Sequence, residues 1–294
     1  MQKYFQGEIT LDMNKTKYKM LVTDMDYTLL NKEKKVSDRN RKALERAIEK
    51  GVHMVVATGR IYTSARIYAK LLGLSTPIIA SNGAIIREAA FNNPKHTEKT
   101  IFKDILNQDA AREMIRLCHK YGLYCHLFTE NTIYSEKLVN VSLRYTEWNK
   151  YIGEEDQVKV KIIDDAEGIL EEAKSEMLKA VVIDEDDEKI QKVRNGIMET
   201  GIVSVSQSMK HNLEVMNKGV TKGNAVMILA QMYGIDREEI IAIGDNENDI
   251  SMIEYAGVGV AMGNAEESLK RVADHITGDY QEDGVAEAIE KFIL

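Results

Sequence analysis

The sequence is poor in residues whose abundance marks particular classes of protein. Two prolines in 294 residues and a moderate 19 glycines leave no low-complexity tract and argue for a folded chain. Two cysteines cannot build a disulfide framework and suit a reducing cytoplasm. No apolar run approaches the ~20 residues that span a bilayer, and no hydrophobic leader opens the chain, so a cytoplasmic protein without a membrane partner is expected. Positive charge is thin as well. The formal net charge is −8, and no basic block exceeds "KEKK" at 32–35, which reads as a solvated turn. Nucleic acid is therefore not an expected partner.

What is present is an ordinary globular mixture, 44% hydrophobic and 29% charged, long enough for two domains. The start, "MQKYFQGEITLD", is polar and aperiodic, and its "YFQG" looks like part of a protease-tag linker. Residues 1–19 are set aside as an N-terminal extension, with Met13 or Met20 as possible native starts. Beyond it, "KMLVTD" (19–24), "HMVVATGR" (53–60), "PIIASNG" (77–83) and "EIIAIGDNEND" (239–249) are apolar runs without alternation, the mark of strands buried on both faces. Helical patterns lie between them. One spans 37–50, with Ser37 as N-cap, Ala43, Leu44, Ala47 and Ile48 buried, and Gly51 as stop. Another spans 221–233, from Thr221 to Gly234. Strand alternating with helix predicts an α/β fold with a parallel sheet, whose ligands sit beyond the carboxyl ends of the strands. Residues 88–211 carry strands and helices of their own, "CHLFT" (125–129), "AVVID" (180–184) and a helix near 109–121, and read as an inserted domain. Core signals resume at "LEVM" (213–216), so 20–87 and 212–294 form the expected core.

Each buried run ends in groups suited to phosphate or metal. Asp24 and Asp26 are two residues apart just past a strand, where their mutual repulsion calls for a cation. Mg²⁺, a hard ion that takes oxygen ligands, would let Asp24 stay ionised and attack phosphorus while Asp26 serves as acid and base. Thr58-Gly59-Arg60 places a hydroxyl and an unobstructed backbone N–H at a helix start, an anion cradle. The "SNGA" segment (81–84), which contains Asn82, is a weaker, turn-like signal. Lys222 sits in the first turn of its helix, where the dipole disfavours a cation unless an anion joins it. Asp245, Asn248 and Asp249 share a face if a helix begins there.

In this order, these four stretches resemble the haloacid dehalogenase superfamily of phosphohydrolases, in particular its Cof-type branch (subfamily IIB), over nearly all of residues 19–294. The resemblance implies a Rossmann-like core of parallel sheet flanked by helices, with an α/β cap inserted at 88–211. It implies Asp24 as nucleophile and Asp26 as general acid/base. Met25, through its N–H, and Thr58, Gly59, Lys222 and Asn248 would bind phosphate. Asp24, Asp26 (through its carbonyl) and Asp245 would hold Mg²⁺, with Thr28, Arg60, Asn82 and Asp249 in support. Tyr27 stands where the family often has Gly, and would stiffen the loop.

The function expected is Mg²⁺-dependent hydrolysis of small phosphorylated metabolites of sugar-phosphate type through an aspartyl-phosphate. Two alternatives share the site: a phosphomutase or phosphotransferase, and a Mg²⁺-binding module that accepts phosphate without turnover. Two other motifs read as ordinary structure. Asp184 and Asp186 have Glu188 where Asp24 has Thr28, and fit a strand-end loop. Cys118-His119 and Cys125-His126 mimic a zinc site, but adjacent side chains on one element diverge. Tyr145 and Trp148 fit either a core or a substrate-facing wall.

Overall fold

The computed structural model describes residues 16–71, 76–88, 98–173 and 176–294; the "YFQG" stretch and Met13 lie outside them. The chain opens with β1 (Met20–Thr23), β2 (His53–Ala57), β3 (Ile78–Ala80), β4 (Ile85–Arg87) and β5 (Thr100–Lys103). Six strands follow: β6 (His126–Phe128), β7 (Thr132–Ser135), β8 (Lys159–Ile162), β9 (Lys179–Ile183), β10 (Val203–Ser206) and β11 (Asn212–Asn217). It closes with β12 (Ile240–Gly244), β13 (Val258–Ala261) and β14 (His275–Ile276). Two sheets result, one of eight strands in the order β14-β13-β12-β1-β2-β3-β4-β5 and one of six in the order β10-β11-β9-β6-β7-β8.

The larger sheet is parallel from β14 to β3, and β4 and β5 turn antiparallel at its edge. The unalternating runs are buried as their pattern requires: Leu21, Val22, Val55 and Ile243 have no exposed surface. Caps fall where the side chains allow. Ser37 accepts the Asn40 N–H at the start of the helix Asp38–Glu49, and Thr221 accepts the Asn224 N–H at the start of Lys222–Tyr233. Gly234 ends the latter at φ +65°, a conformation glycine adopts freely. Ile48, expected inside, is exposed. The buried stripe runs through Asn40, Ala43, Leu44 and Ala47, and the Asn40 Oδ1 accepts the Ala286 N–H at 2.8 Å.

The second sheet departs further from expectation. "LEVM" belongs to β11, which pairs antiparallel with β9 and β10 in the smaller sheet. β5, inside the region read as the insertion, pairs with β4 in the larger sheet. An apolar strand looks alike in either sheet, so pattern alone does not assign its partner. Among the described residues no helix is long and apolar enough to cross a membrane.

Register positions the chemistry. Thr23 pairs with Val56 on one side and Ile243 on the other, and Ala57 pairs with Ile79. The loops after β1, β2, β3 and β12 therefore leave the sheet at one level and on one edge.

Candidate active site

At that edge, Asp24, Asp245 and Asp249 bring carboxylate oxygens to within 4.8 Å of one another, the one such acidic group among the described residues. Lys222 lies in their midst, with Nζ 2.6 Å from Asp24 Oδ1 and 2.6 Å from Asp249 Oδ1. The penalty of a lysine at a helix N-terminus is thus offset by two buried acids. Burial opposes the charge on Lys222, but the two carboxylates outweigh it and raise its pKa above the ordinary value. Burial also pushes the Asp24 carboxyl up to about 7, against the pull of Lys222. Asp245 is raised well above its ordinary range by burial and by the charges of Asp24 and Asp249. Three carboxylates facing one ammonium leave excess negative charge in a dry place. That donor set fits a hard divalent cation.

The outer contacts fix the acids. Thr28 Oγ1 donates to Asp245 Oδ1 at 2.7 Å. Asp249 Oδ2 accepts the backbone N–H of Asp245 at 2.9 Å and of Asn246 at 3.1 Å, so it fastens the loop that carries Asp245. The single helical face expected for 245, 248 and 249 is replaced by a 3₁₀ turn at Glu247–Asp249, which sends Asn248 elsewhere. Asn248 Nδ2 donates to Asn82 Oδ1 at 3.0 Å.

Asp26 is not a side-chain member of the acidic group. Its carboxylate meets Arg60 Nε at 2.6 Å, Arg60 Nη2 at 2.7 Å and Lys34 Nζ at 2.8 Å. Burial raises its pKa, but these cations outweigh burial and hold it well below the usual carboxylate range. Sequence spacing put Asp26 beside Asp24, but a rotamer that reaches Arg60 turns it aside. Met25 is buried in the core. Tyr27 adopts φ +60°, in the left-handed region, which accounts for a glycine preference at such a position. Its ring meets Tyr280 edge-on at 5.5 Å and Lys34 at 4.6 Å.

Thr58 Oγ1 accepts the Arg60 N–H at 3.1 Å. Gly59 has no room for a side chain without crowding: a Cβ would stand 3.0 Å from Asn82 Oδ1 and 3.5 Å from Asn248 Nδ2. The Gly59 carbonyl accepts from Lys179 Nζ at 2.6 Å, and Lys179 also pairs with Glu214 at 2.5 Å. Glu214 accepts in addition from Asn82 Nδ2 at 2.6 Å, from Asn212 Nδ2 at 3.1 Å and from Ser208 Oγ. Burial would raise the Glu214 pKa, and Lys179 brings it below the ordinary value. No sequence motif marks Lys179, Glu214, Ser208 or Asn212. The signal was there: Lys179 and Glu214 are opposite charges inside two apolar runs, and β9 and β11 pair.

Most of these groups line one cavity of about 300 Å³ between the two sheets. Asp24, Asp26, Thr58, Gly59, Arg60, Asp245 and Asn248 reach it from the larger sheet, whereas Lys222 and Asp249 stand behind it, fully buried. Tyr145 and Trp148 line it from the helix Asn140–Asn149. The remaining motifs do other work. Asp186 caps the helix Asp187–Met198 by accepting the Glu188 and Lys189 N–H groups. His119 pairs with Glu136 at 2.7 Å, while Cys118, Cys125 and His126 are buried.

Comparison with known proteins agrees in extent. The profile of the family described as haloacid dehalogenase-like hydrolase matches residues 21–289. A 5-amino-6-(5-phospho-D-ribitylamino)uracil phosphatase of Bacillus subtilis is 34% identical over 280 residues, covering 94% of this chain and 96% of its own. A solved haloacid dehalogenase-like hydrolase from B. subtilis superimposes with a TM-score of 0.81 at 28% identity, covering 94% of this chain and all of its own. A solved HAD subclass IIB sugar phosphatase gives 0.77 at 25% identity, covering 93% and 98% of the two chains.

Proposed function

The chain belongs to the haloacid dehalogenase-like hydrolase family and is a phosphatase of its Cof-type branch; on that premise we propose a Mg²⁺-dependent phosphatase of small sugar-phosphate-type metabolites. The observation that carries the reading is Lys222 bridging Asp24 and Asp249 behind a cavity edge that also holds Asp245. The relatives named for a phosphoribitylamino-uracil and for sugar phosphates support a small phosphorylated substrate.

In this reading Asp24 attacks phosphorus, forming a carboxyl–phosphate bond as the bond to the leaving oxygen breaks. Asp26, in the protonated form, gives its proton to that oxygen. It then takes a proton from the water that hydrolyses the aspartyl-phosphate. To reach the substrate, Asp26 exchanges Arg60 and Lys34 for the ester oxygen. Thr58, the N–H groups of Met25 and Gly59, and Asn248 receive the phosphoryl oxygens, and Lys222 holds Asp24 in line. Asp24 and Asp245, with the Asp26 carbonyl, would hold Mg²⁺, which when bound neutralises phosphoryl charge. Asp249 and Thr28 keep Asp245 in place. The six-stranded sheet and its helices, between β5 and the helix Lys222–Tyr233, act as the cap that covers the substrate and excludes water.

The test is release of inorganic phosphate from 4-nitrophenyl phosphate with Mg²⁺. Asp24→Asn should abolish release while the far-ultraviolet spectrum stays unchanged. Full activity in that variant would end the proposal. Phosphate recovered on an added sugar rather than in water would favour a transferase.

A further inference from the structure

Arg60 and Lys34 both line the cavity and together make an anion site, which Asp26 fills in this structure. Arg60 is held without help from Asp26. Its Nη1 donates to Ser64 Oγ at 3.1 Å, and its guanidinium lies 4.3 Å from the centroid of the Tyr68 ring. Lys34 is built into place as well. Its φ of +59° is left-handed, a conformation that a residue with a side chain adopts only when its surroundings impose it. Asn31 imposes it here, with Oδ1 accepting the N–H groups of Glu33 and Lys35, each at 3.0 Å. The turn carries Lys34 Nζ over the Tyr27 ring to Asp26.

In the proposed reaction Asp26 leaves this site for the ester oxygen. Among the described residues Asp26 is the one carboxylate that pairs with Arg60 or Lys34. Its departure strands a largely buried guanidinium, and a buried charge without its partner is strongly unfavourable. A hydroxyl on the substrate does not neutralise that charge. A carboxylate does, and Asp26 shows the fit: Arg60 Nε and Nη2 meet its two oxygens side by side, with Lys34 on one of them. An aspartate side chain is short, so the place it vacates and the oxygen it moves to are only a few bond lengths apart. Resting on the phosphatase reading, we propose that the leaving group bears a carboxylate close to the ester oxygen, and that this carboxylate replaces Asp26 between Arg60 and Lys34. The substrate class is a phosphate monoester of a hydroxy acid, and Arg60 and Lys34 are specificity-determining residues. Such a substrate frees Asp26 for the leaving oxygen, whereas an ester without the acid leaves it held.

3-Phosphoglycerate and glycerol 3-phosphate differ only by a carboxylate in place of a hydroxymethyl group, and phosphoglycolate and 2-hydroxyethyl phosphate make a shorter pair of the same kind. With Mg²⁺ and the unsubstituted enzyme, kcat/KM should favour the acid by about tenfold or more in at least one pair. Lys34→Met should cut that preference several-fold, and Lys34→Arg should keep most of it. The ratio within a pair is the readout because a damaged fold lowers both members alike. Binding is measured separately by calorimetric titration of the full chain bearing Asp26→Asn, whose anion site has lost its own carboxylate. There the preferred acid should bind about tenfold or more tightly than its alcohol. Equal kcat/KM in both pairs, a preference that Lys34→Met leaves intact, or equal affinities in Asp26→Asn would overturn the proposal. If 4-nitrophenyl phosphate is not hydrolysed at all, the phosphatase reading fails instead, and the titration alone still decides for or against the carboxylate site.

Discussion

Arg60 holds Asp26 fork to fork, Nε to Oδ2 at 2.6 Å and Nη2 to Oδ1 at 2.7 Å. The arrangement keeps ionised a carboxylate whose proposed work includes giving up a proton. Arg60→Gln should leave Asp26 held by Lys34 alone and cost about 1.5–3 kcal/mol at pH 7, the usual worth of hydrogen bonds to a charged group. Because the folded-state pKa of Asp26 is depressed, this contribution is full above the ordinary aspartate value near ~4 and fades as the pH falls below it. Thermal melts of both proteins from pH 7 to pH 3 should show the gap narrowing at the acid end. A gap that stays constant would contradict the assignment.

Lys222 has no exposed side-chain surface and serves two acids at once. Lys222→Met should abolish activity and cost about 3–5 kcal/mol, because it strands buried carboxylates. Adding Asp249→Asn should recover part of that loss in urea melts, since the two residues share one network. Costs that simply add would show that they are not coupled.

The Asp24 carboxyl, raised to about 7 by burial, makes protons competitors of any cation at the site. Without metal, the folded state holds this proton more tightly than the unfolded chain. Stability from this group should therefore fall as the pH rises from about 4 through about 7. Mg²⁺ should raise the melting temperature strongly at pH 8 and progressively less as the pH is lowered through 7. Asp24→Asn should flatten both dependences. A Mg²⁺ effect larger at pH 6 than at pH 8 would refute the linkage.

Lys179 and Glu214 form a buried pair that also holds the Gly59 carbonyl. Lys179→Met alone should destabilise by about 3–5 kcal/mol. Lys179→Met with Glu214→Met should recover part of that loss, because no buried charge is then stranded, although Asn82, Asn212 and the Gly59 carbonyl lose their partners. KM for 4-nitrophenyl phosphate should nevertheless stay raised in the double variant, since Gly59 and Asn82 lose their partners. A normal KM there would mean that the pair is structural only.

The sequence by itself determined the elements whose causes are local. Unalternating apolar runs became β1, β2, β3 and β12, and Ser37, Thr221 and Gly234 bounded their helices, because caps and buried strands depend on neighbours a few residues away. The same locality brought the loops of Asp24, Thr58 and Asp245 to one sheet edge, since parallel strands end together. Tertiary structure decided what needed partners distant in the chain. It turned Asp26 toward Arg60, 34 residues away, and sent Asp249 to Lys222. It also moved β11 into the smaller sheet and joined Lys179 to Gly59 across 120 residues. A carboxylate chooses among cations by distance and dielectric, and an apolar strand accepts any edge that covers it. Neither choice leaves a trace in local periodicity, so both were settled only when the chain closed on itself.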